Sequence, residues 1–457
     1  MKKLLTLLFI TSILISACGG VSTPGADAPS ATESVEKTPT VAPAVETASR
    51  LNIEKAALNG LEITVWTPWY DVEQSLFESL VRQFNEENEW GIVVSVQSQV
   101  TFAGLYEATT ASLPRSEKPD LVIALPEHAQ GWYADGVVTD LTEYVNDPLY
   151  GMDTSDIPDV FWNQDMAGDA RVGVPAQRTA QFLLWNETWA KELGFDSPPK
   201  TTEEFREQAC GANGSLLTDD LAQNDALGGW LVDTEPMTAY SWMLAFDGGV
   251  LEEGNYRFLA PNNVNAFKYM RTLSEENCSW QGAAEGPFTP FTERKALFIT
   301  VGLGDLPAAA RAFANASSAD KWTVIPFPSE DGGVLAVYGS SYVVMETTDA
   351  EQLAAWLFVR WLLEKEQDAR WVEVTHLFPL RSSTVDLLGE YEKTRPQWKQ
   401  AVELISFGEV QPQLGSWRTV KVMLGDGFRH MYRVNVSSGQ VPAILAQMDL
   451  MAKDVSE

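Results

Sequence analysis

The sequence predicts an α/β fold around a largely parallel sheet, and three successive stretches carry that reading. Residues 61–67 (LEITVWT) alternate apolar and polar side chains as a strand does. Residues 92–96 and 119–124 are short, β-branched, nearly continuous apolar runs, as expected of strands covered on both faces. Between them lie two helical stretches, 72–86 and 102–112. The first repeats its apolar side at Leu76, Leu80, Val81 and Phe84. Strand, helix, strand, helix, strand is the order that builds a parallel sheet with helices on its faces. Ligands of such sheets sit beyond the carboxyl ends of the strands, so Trp66, Trp69, Tyr70 and Glu127 are expected at a mouth.

The elements ahead of this body have a different character. Lys2 and Lys3 open a short apolar segment that ends in Leu14, Ile15, Ser16, Ala17 and Cys18. A basic start, an apolar stretch shorter than the ~20 residues of a spanning helix and small residues before a cut form a secretory signal, expected over 1–17. The cysteine just past the cut resembles the bacterial lipobox, which implies lipidation at Cys18 and anchoring to the outer face of the cell membrane. Residues 18–58 are rich in Ser, Thr, Ala, Pro and Glu without apolar periodicity, and read as a disordered tether.

The formal charge is −31, nearly all of it in the body after the tether. Nucleic acid and anionic lipid are excluded as partners by that field, so contact with the membrane is expected through the anchor only. The ~400 residues of the body exceed what one hydrophobic core supports and predict two domains. Of three cysteines, Cys210 and Cys278 remain after Cys18; in an oxidising compartment they are expected to form a disulfide within one domain.

Several segments, in order along the chain, carry a resemblance. They are the strand ending at Trp66, the helix end Phe84, Asn85 and Glu86, residues 119–122 (PDLV), 134–142 (ADGVVTDLT), 173–179 (GVPAQRT) with 184–186 (LWN), and 199–205 (PKTTEEF). They continue with 291–298 (FTERKALF), 354–362 (AAWLFVRWL) and 376–381 (HLFPLR). Together they resemble family 1 extracellular solute-binding proteins, the binding subunits of ABC importers for sugars, oligosaccharides and glycerol phosphates. In 199–205, Thr201 or Thr202 is expected to cap the helix, with a glutamate close behind. The resemblance implies a periplasmic-binding-protein-like fold, two α/β lobes joined by a hinge with a ligand cleft between them. By that analogy the N-terminal lobe holds 59–169 plus 334–380 and the C-terminal lobe 170–333 plus 381–457, with Cys210 and Cys278 both in the second. It also implies permease subunits encoded elsewhere as partners, and no cofactor; a monomer is expected.

Composition favours a carbohydrate ligand. Sixteen tryptophans and twelve tyrosines exceed what a tethered soluble body needs, and pyranose C–H faces pack on aromatic rings. Candidates where strands meet loops are Trp66, Trp69, Tyr70, Trp230, Tyr240, Trp242, Tyr338 and Trp417, whereas Trp356, Trp361 and Trp371 fall at apolar helical positions and read as core. Polar candidates are Glu127, which follows the third strand, and Arg178 with Thr179 in the segment that matches the family's hinge crossing. Gly302 lies in a small-residue loop, and Arg381 matches an arginine that either binds ligand or pins the hinge.

Glycerol phosphate is the nearest alternative. A phosphoryl group calls for paired basic residues or a glycine-rich helix start, and Arg178, Arg381 and Arg418 are dispersed along an acidic chain. A secreted glycoside hydrolase is the competing class, but 63 acidic residues make some carboxylate pair inevitable and therefore uninformative. His128, His376 and His430 lack metal spacing and no nucleophile elbow is present, so neither catalysis nor a metal is expected.

Overall fold

The computed structural model describes residues 48–115, 118–282 and 284–456. The signal segment, Cys18 and residues 18–47 of the tether lie outside the described residues.

The strands of the two larger sheets are β1 (Glu62–Thr67), β2 (Val93–Ser98), β3 (Leu121–Ala124), β4 (Val174–Pro175), β5 (Thr179–Asn186), β6 (Gly228–Leu231), β7 (Ser279–Trp280), β8 (Ala296–Gly302), β9 (Trp322–Ile325), β10 (Leu335–Tyr338), β11 (Ser341–Val344) and β12 (Gly408–Val410). The main helices are α1 (Asp71–Glu87), α2 (Phe102–Ser112), α3 (Pro126–Ala134), α4 (Thr202–Leu217), α5 (Pro236–Ala245), α6 (Pro261–Glu275), α7 (Asp349–Leu362), α8 (Lys365–Thr375), α9 (Trp417–Met431) and α10 (Val441–Ser456).

Two sheets organise the molecule. The first has the order β2-β1-β3-β11-β4 and the second the order β7-β6-β8-β5-β10-β12, with β9 also paired to β5. The predicted β-α-β-α-β run forms the parallel part of the first sheet, β1 between β2 and β3. The late strand β11 then adds antiparallel to β3, from far along the chain.

Strand alternation explains why each sheet has two cores. Along β5, Phe182 and Leu184 face one cluster while Leu183 and Trp185 face another. Along β3, Leu121 and Ile123 join the core beneath α1 and α7, and Val122 and Ala124 join the core with Trp132. Successive side chains of a strand point to opposite faces, so a strand without polar positions must be covered on both.

The body begins earlier than expected. Arg50 N donates to Asp147 Oδ2 at 2.7 Å and Ser49 Oγ to the same oxygen at 3.0 Å, while Leu51 and Ile53 pack against the first core and Leu58 is fully buried. The disordered tether expected over 18–58 is therefore corrected over 48–58, where three apolar residues are enough to hold the chain on the body.

The chain passes between the sheets at 176–178 and again at 339–340, side by side. Ala176 N and Gln177 N both donate to Ser340 O, at 2.9 and 3.1 Å. Gly339 is required there: a Cβ would stand 2.0 Å from Gln177 O. A third segment joins them where Phe378 N donates to Arg178 O at 3.1 Å. The crossings lie later than the expected breaks at 169/170 and 333/334, since β4 still pairs in the first sheet and β10 still in the second. Ile157 and Phe161 likewise pack beneath the second sheet. The register of two-residue strands and loop packing decides these points.

In the second sheet's layer Thr201 caps α4 in a reciprocal box with Glu204, as its sequence suggested. Cys210 on α4 is disulfide-bonded to Cys278 just before β7.

Candidate functional site

Three contiguous hollows, of about 360, 430 and 270 Å³, form one trough between the two sheets. The central hollow lies over the crossing segments, against Gln177, Arg178, Thr179 and Ser340. It shares Gln181, Glu235 and Tyr338 with the hollow over the second sheet, and Phe102, Leu125 and Lys421 with the one beside α2 and α3. The walls come from strand ends, as parallel sheets dictate: Leu125 follows β3, Asp233 follows β6 and Gly302 ends β8.

The hollow over the second sheet is rich in acceptors. Asp233, Glu235 and Asp305 line it with Gln181, Thr300 and Tyr338, and no Lys or Arg is among the described residues that line it. Asp233 Oδ1 accepts from Glu235 N at 3.0 Å and its Oδ2 from Thr238 Oγ1 at 3.2 Å. Burial nevertheless pushes its pKa up to about 6. Asp305 accepts from Gly302 N at 2.9 Å.

Opposite, the lobes touch. Glu127 on α3 forms an ion pair with Lys421 on α9. Arg418 lies over the ring of Tyr106 on α2, 4.3 Å from its centroid. Burial, together with Lys421 and Arg418, pushes the pKa of His128 down to about 4 despite Glu127 beside it, so the imidazole is neutral. Gly131 and Gly415 let the two lobes approach: a Cβ on Gly415 would stand 2.6 Å from Gly131 Cα.

Of the candidates read from sequence, Glu127, Arg178, Thr179, Gly302 and Tyr338 line the trough. Arg178 does so without a free donor. It is fully buried, pairs with Asp165 at 2.5 Å, and donates to Phe161 O, Gln177 O, Ser340 O and Ser341 Oγ. It therefore ties the crossing strands together.

The aromatic platforms expected of Trp69, Trp230, Trp242 and Trp417 are corrected by burial. Trp230 and Trp242 pack against Phe205 within the second lobe, Trp230 donating Nε1–H to Thr300 Oγ1 at 3.1 Å. Trp417 is fully buried against Tyr240, with its Nε1 on Gln411 Oε1. Trp69 packs edge-on to Phe77 and tilted against Trp371, and its Nε1–H reaches Gln177 Oε1 at 3.3 Å. Trp66 packs against the core that holds Trp132, and Tyr70 is exposed outside the trough. Arg381 pairs with Asp156 and donates Nε–H to Leu363 O at 2.6 Å, which makes it a pin and not a ligand contact. A large apolar ring at a strand end fills a core as readily as it lines a mouth.

Sequence reasoning missed Phe102, Leu125, Gln181, Asp233, Glu235 and Lys421. A signal existed for Asp233 and Glu235: they follow a strand of residues 228–231 and precede Pro236, the first residue of a helix. Lys421 had none, because it reaches the site from a helix nearly 300 residues beyond Glu127.

A cleft whose walls belong to different lobes can close on a small molecule only if the crossing segments bend, and this is the architecture of solute-binding proteins. The chain belongs to the bacterial extracellular solute-binding protein family, which it matches over residues 79–404. It is similar in fold to the cyclic alpha-maltosyl-1,6-maltose binding protein of Arthrobacter globiformis, at 19% identity and a TM-score of 0.70 over 86% of this chain and 99% of that one. The sugar-binding protein MalE of Xanthomonas citri aligns at 16% identity with a TM-score of 0.73, over 86% and 97%. UgpB of Mycobacterium tuberculosis, in complex with glycerophosphocholine, aligns at 14% with a TM-score of 0.69, over 86% and 99%. No curated protein matches the sequence.

Proposed function

We propose that this protein is the extracytoplasmic binding subunit of an ABC importer, capturing a neutral carbohydrate by closure of its lobes and delivering it to membrane permease subunits. Family membership and sugar-binding neighbours in fold support the class. The observation that carries the ligand chemistry is the acceptor-rich hollow of Asp233, Glu235, Asp305 and Gln181, with Tyr338 as a half-buried ring beside it. Carboxylates and amide oxygens accept hydrogen bonds from sugar hydroxyls, and the carboxylates repel a phosphate. Of the cations near the trough, Arg178 is paired with Asp165 and Lys421 with Glu127, while Arg418, over the Tyr106 ring, lines the hollow beside α2 and α3 and not the acceptor-rich one. Glycerophosphate esters are thereby disfavoured, although one neighbour in fold was solved with glycerophosphocholine.

Ligand touching both walls favours the closed form by its differential affinity for the two states, and that form then docks on the permease. Cys18, lipidated after export, holds the body at the outer face of the membrane as a monomer, and no step of catalysis is assigned to it. Thermal-shift titration with mono- to tetrasaccharides and with glycerol phosphates, followed by product analysis, tests the reading. A stabilisation of RT ln(1 + [L]/Kd) by a sugar with no products supports a binder. Cleavage products, or stabilisation by phosphate esters alone, would overturn it.

A further inference from the structure

We propose that the second lobe carries a separate binding site for a small ring-bearing anion, a phosphate or carboxylate attached to a flat ring. The site is a hollow of about 280 Å³ on the far side of the third crossing segment from the trough, walled by Trp322, Tyr391 and Trp398 with Arg311, Arg395 and His376. In a chain of net charge −31 no carboxylate lines it.

Its two arginines are not committed elsewhere. Arg206, Arg257, Arg294 and Arg429 are each paired with a carboxylate. Among the described residues neither Arg311 nor Arg395 has such a pair. Arg395 lies over the Tyr391 ring, 4.1 Å from its centroid, and donates to Thr394 Oγ1 at 2.9 Å, which leaves most of its fork unused.

Both guanidinium groups line the hollow together with one imidazole. His376 closes α8 in the left-handed region (φ 63°) with its Nδ1 2.6 Å from Tyr391 Oη. Burial, then Arg395 and Arg311, lower its pKa, so the ring is neutral and the positive charge of the hollow belongs to the arginines. A guanidinium fork matches phosphate and carboxylate, and aromatic walls accept a flat ring. The volume lies at the lower edge of small-molecule sites, roughly 300 Å³, which suits one ring and its charged group and not an oligosaccharide. Leu377 lines the trough, and Trp398 donates Nε1–H to its carbonyl at 3.1 Å, so the hollow and the trough lie on opposite sides of one strip of chain.

Phenyl phosphate, titrated calorimetrically against the folded body, is the probe. Saturable one-site binding is expected, tighter than that of benzyl alcohol, which lacks the charge, or of inorganic phosphate, which lacks the ring. Arg311→Gln and Arg395→Gln should each weaken it on the order of tenfold, while Arg206→Gln, in an exposed pair away from the hollow, should not. Neither target is buried, and circular dichroism of each variant checks that the fold is kept. Binding of phenyl phosphate no tighter than of its two fragments, or equal binding by wild type and both glutamine variants, would overturn the proposal. Displacement by the sugar that binds the trough would do the same.

Discussion

Glu127 and Lys421 form an ion pair across the two lobes, with the Glu127 side chain wholly buried and its second oxygen, Oε2, without a partner among the described residues. Burial alone would raise the pKa of this carboxyl; the charge of Lys421 and its hydrogen bond outweigh burial and hold the group below its ordinary value, and charged. The pair therefore exists only while the lobes touch.

Lys421→Ala leaves a buried charge uncompensated, a situation that costs about 3–5 kcal/mol when the charge cannot escape. Here it can escape by opening, so the open form is expected to gain population. Small-angle X-ray scattering of the unliganded variant should give a larger radius of gyration, and sugar affinity should fall about tenfold or more. An unchanged radius with unchanged affinity would remove the pair from the closure equilibrium.

Arg178 and Asp165 are both fully buried at the crossing segments. Arg178→Ala is expected to lower the free energy of unfolding by about 3–5 kcal/mol in urea titration. Arg178→Lys should cost less, because the charge survives while the fork to Phe161 O and Ser340 O is lost. Full stability in the alanine variant would mean that the crossing strands do not depend on this pair.

Trp230→Ala and Trp417→Ala remove buried rings and should each cost about 3–5 kcal/mol of stability. Tyr338→Phe removes only a hydroxyl at the edge of the acceptor-rich hollow. It should leave the unliganded melting temperature within about a degree while weakening sugar binding by about 0.5–1.5 kcal/mol. Melting temperature and titrated affinity, measured on all three variants, separate core from site; the reverse pattern would reassign them.

Asp233 has its pKa pushed up to about 6 by burial. A carboxyl whose pKa is raised on folding favours the folded state below the unfolded pKa, and loses that contribution as pH rises through the folded value. Above pH 6 its charge is a burden, so Asp233→Asn should raise stability at pH 7–8 by ~1–2 kcal/mol relative to its effect near pH 4. Denaturant midpoints across that pH range provide the measurement, and a pH-independent difference would contradict it.

Cys210 and Cys278, 68 residues apart, clip α4 to the edge of the second sheet. Reduction is expected to lower stability by about 2–4 kcal/mol. Thiol alkylation of the native, non-reduced body should label neither; two labelled cysteines would contradict the bridge.

The chain's own pattern determined the elements of the parallel part of the first sheet, because periods of two and 3.6 and the caps around them are local properties. β1, α1, α2 and β3 stand within about two residues of where their apolar residues placed them. The pairing of Cys210 with Cys278 was also legible, since an exported chain in which Cys18 is read as the lipidated cysteine leaves a single choice. Tertiary structure alone decided which aromatics face the trough. Trp230 and Tyr338 both lie near strand ends and pack on the same core of the second sheet, yet Trp230 is fully buried while Tyr338 is half-buried and lines the hollow, because the elements packed over that face cover one ring and leave the other at the rim. It also decided the fate of Glu127: its burial and charge depend on Lys421, brought to it by the return of the chain in a late helix, and no local pattern encodes a contact of that separation.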